Sequence, residues 1–217
     1  MSLKLYHYPA TAAMIPHILL EELGVPYERV FVDRARDEHK RPEYLKLNPN
    51  GTLPVLADGD FVVYETAAIV LHLCDAHPQA RLAPAPGTPD RSHFHQWLVW
   101  LTNTLQATLM VYFYPERWVR EGHAEAAAEV KARAQERVQP LLDQLDALVA
   151  RHGGPWLLGA GYCALDAYAF TLCRWTRNFG GGKARERAHL APWLQRVSER
   201  PAVQRVFAAE GISAPLF

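Results

Sequence analysis

The run Asn48-Pro49-Asn50-Gly51-Thr52-Leu53-Pro54-Val55-Leu56 sets a proline at the head of an apolar segment, and Tyr64-Glu65-Thr66-Ala67-Ala68-Ile69 follows shortly after. Proline has no N–H for a ladder bond, so Pro54 can start a strand but not sit within a central one. Pro54-Val55-Leu56-Ala57, then Asp58-Gly59-Asp60, then Phe61-Val62-Val63-Tyr64 read as a hairpin whose turn residues tolerate a left-handed backbone. Glu65 to Asp75 reads as a helix. Upstream, residues 3–7 suit a strand. Ala12 to Leu23 carry apolar side chains at helical spacing through Ile15, Ile18, Leu19 and Leu23 until Gly24 ends the pattern. Tyr27 to Val32 supplies a second strand and Pro42 to Leu47 a short helical turn.

This order of elements, strand-helix-strand-helix-strand-strand-helix, makes a small α/β domain that covers both faces of its sheet, a thioredoxin-like topology. Composition changes after it. His77-Pro78 and Ala83-Pro84-Ala85-Pro86-Gly87-Thr88-Pro89 are too rich in proline for either regular element and mark a linker. Everything beyond reads as helix, near 90–120, 124–152, 164–178, 190–199 and 202–210, with breaks at Gly122, Gly153-Gly154-Pro155, Gly180-Gly181-Gly182 and Pro201. The expected organisation is a thioredoxin-like domain over 1–78, a linker over 79–89 and an all-α domain over 90–217.

Composition narrows the function. The chain of 217 residues is 49% hydrophobic and 21% charged, a globular balance. Lysine plus arginine equals aspartate plus glutamate at 23 each, so net charge draws it to neither nucleic acid nor an anionic membrane. Cys74, Cys163 and Cys173 are odd in number and widely spaced, with no Cys-x-x-Cys pair, which argues against a disulfide framework, a zinc knuckle or a dithiol redox centre and fits a cytoplasmic protein. The first residues lack a signal-peptide pattern and no apolar run reaches bilayer length, so neither export nor membrane insertion is expected.

The two pieces around Pro54 and Glu65 resemble the glutathione site of the cytosolic glutathione S-transferases, in which the proline is cis and a Glu-Ser pair opens the next helix. The resemblance implies that Thr52, Leu53 and Pro54 hold the cysteinyl part of glutathione. A cis X-Pro bond turns the N–H and C=O of Leu53 outward to pair with a peptide ligand, as an added strand would. Thr66, at a helix N-terminus, faces the γ-glutamyl carboxylate, since free N–H groups and the positive dipole end favour an anion. Glu65 takes the ligand's ammonium. Read more plainly, Pro54 only starts a strand and Glu65-Thr66 only caps a helix. Glu38-His39-Lys40 resembles a segment of the plant phi-type enzymes, which implies that His39 and Lys40 meet the glycine carboxylate; otherwise the charged run from Asp33 to Arg41 is a solvated loop.

The reactive centre is expected where the first strand turns into the first helix, at Tyr8-Pro9-Ala10-Thr11-Ala12-Ala13. The Pro16-His17-Ile18 stretch resembles the bacterial beta-type enzymes, yet Ala12 and Ala13 stand where those carry Cys and Ser. Aligned on the phi-type Pro-Ala-Ser, the hydroxyl falls on Thr11, which is the catalytic expectation; Tyr6 and Tyr8 are held in reserve. Threonine is equally a common N-cap. In the second domain one helix face reads Val99, Asn103, Gln106, Met110, Phe113 and Arg117. Gln106 and Ala107 stand where beta-type enzymes carry a His-Lys pair. Asn103, Gln106, Met110, Phe113, Tyr114 and Trp175 are expected to line the co-substrate pocket, although an aromatic stripe at helical spacing also describes a core. Trp118 and Asn178 extend the same list. The stretch Leu157 to Ala167 resembles the family's capping-box helix, with Cys163 in the cap position and Asp166 reaching back.

What the resemblance implies is a detoxifying transferase in which glutathione, as thiolate, attacks a small hydrophobic electrophile. Glutathione is then co-substrate, with no further cofactor and no metal, and the protein is a homodimer. A glutathione-dependent isomerase, dehalogenase or disulfide-bond reductase shares the same scaffold. So does a non-catalytic glutathione-binding protein.

Overall fold

The computed structural model describes residues 3–159 and 161–217. The chain divides into two compact units: the described residues up to Ala85 with Ser198–Ala214, and Pro86–Val197 with Pro215–Phe217.

The first unit is built on four strands, β1 (Leu3–His7), β2 (Tyr27–Phe31), β3 (Val55–Asp58) and β4 (Phe61–Tyr64), in the order β2-β1-β3-β4. β1 runs parallel to β2, with Leu3 beside Tyr27, and antiparallel to β3, with Leu5 beside Leu56. β3 and β4 form the expected antiparallel hairpin, Leu56 beside Val63. Helices α1 (Met14–Leu23) and α3 (Thr66–Ala76) pack together over one face, where Leu5, Ile15, Ile18, Leu19, Leu56, Ile69 and Leu73 are all but completely buried. Each such side chain contributes about 1.5–3 kcal/mol relative to exposure. The other face gathers Val32, Tyr44 and Val55 with Tyr6, Leu47, Leu53, Val62 and Tyr64, under the single turn α2 (Pro42–Leu45). This is the expected thioredoxin-like arrangement, with α1 beginning two residues later than the apolar pattern suggests.

Composition assigned all of 90–217 to one helical domain, but the last helix, α9 (Pro201–Glu210), belongs to the first unit. Its reason is amphipathic: Ala202, Val203, Val206 and Phe207 form one buried face that packs on α1. Two arginines on α9's flank reinforce the choice. Arg200 grips Glu22 in a two-pronged bond at 2.5 and 2.7 Å, and Arg205 reaches Glu21 at 2.5 Å.

The second unit is helical. α4 (Pro89–Trp100) is capped by Thr88, whose Oγ1 accepts from the N–H of Arg91 at 3.2 Å. The helix widens into a π-type stretch over Leu101–Gln106, resumes as α5 (Ala107–Phe113) and stops there, short of the expected residue 120. Pro115 has no N–H to continue it, and Pro115–Trp118 tightens into a 3₁₀ turn. α6 (Ala124–His152) buries Ala134, Val138, Leu142, Leu145 and Leu148 at helical spacing and ends on Gly153 in the left-handed conformation. α7 (Ala164–Trp175) is buried along its entire length, and α8 (Leu190–Ser198) follows. At the head of α7 the Asp166 carboxylate accepts from the N–H of Cys163 at 2.9 Å, from that of Leu157 at 2.8 Å and from the indole of Trp193 at 3.0 Å, so the expected capping box is formed. Within the expected capping segment, Ala160 lies outside the described residues.

Candidate functional site

Residues 48–54 form a loop held from inside. The Asn48 side chain is fully buried. Its amide donates to the carbonyl of Thr52 at 2.9 Å and to the Thr52 hydroxyl at 3.0 Å, while its oxygen accepts from the N–H of Asn50 at 3.0 Å. The buried Tyr44 hydroxyl donates to the same Thr52 carbonyl at 2.7 Å, and burial pushes its pKa above the usual tyrosine value, keeping it a donor. Gly51 adopts φ 58°, and a Cβ there would lie 3.0 Å from the carbonyl oxygen of His39. Glycine thus brings the 3₁₀ turn Glu38–Lys40 against the loop. Lys40 lies on that turn in an exposed pair with Asp37 at 3.0 Å, a contact worth little in water.

The bond from Leu53 to Pro54 is cis, as expected. Among the described residues neither the N–H nor the C=O of Leu53 has a main-chain or side-chain partner. Such groups next to a sheet are open to an extended ligand. Close by in sequence, Glu65 adopts φ 69° and ψ 118°, a conformation that costs a non-glycine residue of order 1–3 kcal/mol. Glu65 is the N-cap residue of α3, but its exposed side chain makes no capping bond. Thr66 follows as the first residue of α3 and is buried.

The turn Tyr8–Ala13 is held differently. Ala10 sits in the left-handed region at φ 59°, and its N–H donates to Oε2 of Glu210 at 2.8 Å. The other oxygen of that carboxylate meets Nδ1 of His17 at 2.6 Å, with both side chains buried. The Thr11 hydroxyl donates to the carbonyl of Tyr8 at 2.7 Å and accepts from the N–H of Ala13 at 3.3 Å, so it serves the local backbone. The N–H groups of Thr11 and Ala12 have no partner among the described residues. They precede α1 and share its positive end. Of the reserve tyrosines, Tyr6 packs edge-on against Tyr44 and Tyr8 stacks on Phe31.

In the second unit, Phe94, Leu98, Leu101, Leu105 and Leu109 form the core face of α4 and α5. The expected pocket residues lie mostly off it: Asn103 and Phe113 are exposed, and Gln106, Met110 and Tyr114 are half-buried. Trp175 is the exception, buried in α7 with its ring edge-on to Phe113 at 6.0 Å. Trp118 and Asn178 are exposed. Gln106 is already engaged, its oxygen accepting from the Tyr168 hydroxyl at 2.5 Å. All three cysteines are free and buried, and desolvation pushes the thiols of Cys163 and Cys173 well above the ordinary cysteine range. A buried neutral thiol is a poor nucleophile. Among the described residues no cluster of His, Cys, Asp or Glu is placed to hold a metal ion, and no helix is long and apolar enough to cross a membrane.

Sequence reasoning overlooked four residues that shape these segments. Asn48 and Tyr44 had a signal, since an Asn-Pro-Asn-Gly turn next to a buried aromatic calls for a side chain to satisfy its carbonyls. Glu210 and His17 had none, because nothing local links positions 193 apart.

Residues 1–75 match the family model for the glutathione S-transferase N-terminal domain and residues 110–210 that for the C-terminal domain. The chain is 28% identical over 211 residues to glutathione S-transferase GST-4.5 of Xanthomonas campestris, a match covering 97% of this chain and all of that protein. A Sulfitobacter glutathione transferase homologue, solved with bound glutathione, superposes with a TM-score of 0.86 at 26% identity, covering 98% and 99% of the two chains. A sphingomonad glutathione S-transferase complexed with glutathione gives 0.82 at 30% identity, covering 97% and 100%.

Proposed function

The chain belongs to the glutathione S-transferase family and is a transferase by that membership; from this premise we propose that it conjugates glutathione to a small hydrophobic electrophile. The observation that carries the proposal is the open main chain of Leu53 beside the strained Glu65 and the head of α3. In this reading Leu53 pairs with the cysteinyl residue of glutathione, and Thr52 and Pro54 hold Leu53 in place. Glu65 takes the α-ammonium and Thr66 the γ-glutamyl carboxylate. His39 and Lys40 face the glycine carboxylate.

The sulfur then lies at the reactive turn. Hydrogen bonds from the N–H groups of Thr11 and Ala12, and from the Thr11 hydroxyl once it leaves the Tyr8 carbonyl, stabilise the thiolate over the thiol. Lowering a thiol pKa by two units takes about 2.7 kcal/mol, within reach of two or three charge-assisted bonds. The thiolate attacks the electrophilic carbon, the C–S bond forms, and the leaving group departs with the electron pair. Met110, Phe113, Tyr114 and Trp175 are the apolar residues proposed to receive the electrophile, with Asn103 and Gln106 as the polar groups of the same co-substrate pocket. The protein acts as a cytoplasmic homodimer, a proposal that the free, buried cysteines and the family membership support.

The engagement of the Thr11 hydroxyl by Tyr8 favours a second reading, a glutathione-binding protein without turnover. Ultraviolet thiolate absorbance of bound glutathione against pH, in wild type and in Thr11→Ala, separates the two. The transferase proposal expects a depressed thiol pKa that rises in the variant. A thiol that titrates as free glutathione does, despite tight binding, sinks it.

A further inference from the structure

We propose that Glu210, the last residue of α9, is a positioning residue for the reactive turn, acting through Ala10 and His17; the inference rests on the transferase reading above. Its side chain is completely buried, an arrangement that costs a carboxylate several kcal/mol unless its oxygens are paired. Both are paired on the same structural feature. Oε2 takes the N–H of Ala10, immediately before Thr11, and Oε1 lies 2.6 Å from Nδ1 of His17 in the first turn of α1. His17 is itself held between the rings of His7 and Tyr27, at centroid distances of 6.0 and 5.9 Å.

Docking of α9 has supports other than this carboxylate. Val203, Val206 and Phe207 already bury its apolar face, and Arg200, Arg205 and the bond from Arg29 to the carbonyl of Ala209 tie down its flank. An apolar residue at 210 would escape the desolvation cost of a carboxylate but leave the Ala10 N–H and the buried His17 Nδ1 without their partner. The bond from the Ala10 N–H holds an alanine at φ 59°, a conformation L-residues adopt only under constraint, and so sets the direction in which the chain enters Thr11 and Ala12. The two unpartnered N–H groups that the reaction needs as thiolate donors are therefore aimed by a residue at the far end of the chain. Misplacing such donors by about 1 Å costs up to a hundredfold in rate.

The test uses the full-length protein and its Glu210→Ala and Glu210→Gln variants. It reads the thiol pKa and Kd of bound glutathione, together with kcat and KM for chlorodinitrobenzene as electrophile. Glu210→Ala is expected to raise the thiol pKa by ~1 unit and lower kcat about tenfold, with Kd changed less than about threefold because the Leu53 and Glu65 contacts are untouched. Glu210→Gln keeps one oxygen for Ala10 and is expected to fall between the two. A role confined to docking α9 would lower the melting temperature while leaving the thiol pKa at its wild-type value, which overturns the proposal but not the transferase reading. An unshifted thiol in the wild type overturns both. Should neither variant fold, amide hydrogen exchange at Ala10 in the wild type decides. Protection matching that of α1 supports the assignment, and exchange at the rate of an exposed loop ends it.

Discussion

Within the segment from Asn48 to Thr66, the loop Asn48–Thr52 takes its side-chain hydrogen bonds from itself or from a few positions before it, whereas the turn from Tyr8 to Ala13 takes its buried anchor from Glu210, 200 positions away. Both carry strained backbone, Glu65 at φ 69° in one and Ala10 at φ 59° in the other. In the first the strain sits at the mouth of α3, directly after the hairpin. In the second it persists because a helix from the end of the chain holds it. On the proposed reading, binding and activation of glutathione are therefore separable by mutation, and each loss reports on a different part of the chain.

The largest expected effect is on the local segment. Glu65→Ala removes the carboxylate proposed for the ligand's ammonium and should weaken glutathione binding about a hundredfold by calorimetry, the worth of a charge-assisted bond pair. Affinity within threefold of wild type would break the assignment of the γ-glutamyl site. Next comes Asn48→Ala, which leaves the Thr52 carbonyl with Tyr44 alone and opens a cavity at a fully buried position. It should destabilise the protein by about 1–3 kcal/mol in urea unfolding and weaken glutathione binding with it. Unchanged stability would mean that the loop is not self-held.

A smaller effect separates the regions by pH. Burial lowers the pKa of His7, at the end of β1, from 6.5; Glu210 opposes that shift, while His17 and Arg29 add to it. The folded protein therefore takes up the proton later than the unfolded chain. Stability is held above pH 6.5 and falls as pH drops below it toward the lower, folded-state value. Thermal melts at stepped pH should show this decline in the wild type and less of it in His7→Asn. An equal decline in both would place the acid sensitivity elsewhere. The smallest effect is expected for Ala10→Gly. Relief of the left-handed alanine, worth about 1 kcal/mol, nearly cancels the added freedom of the unfolded chain, so stability should change by less than about 0.5 kcal/mol. A large loss would show that the Ala10 methyl, and not only its N–H, anchors the turn.

Much of the fold was readable because it follows from short-range patterns. The hairpin at Asp58-Gly59-Asp60, the apolar spacing of α1 and α3, and the long periodic α6 each declare themselves within one element. The end of the helix at Phe113, where 120 was expected from the break at Gly122, was also written locally in Pro115. In the candidate site, Leu53, Pro54, Glu65 and Thr66 are proposed because their local pattern resembles that of glutathione transferases. The hydroxyl of Thr11 could be named but not its partner, since a threonine before a helix bonds whichever carbonyl the turn brings near.

By itself the amino-acid order determined two kinds of domain and the hairpin turn at Asp58-Gly59-Asp60, all of which depend on neighbours within a few positions. Tertiary structure alone decided that α9 joins the first unit and that Glu210 anchors Ala10 and His17. Those contacts close loops of about two hundred residues, and the buried area and paired charges that stabilise such closure exist only once the chain has folded.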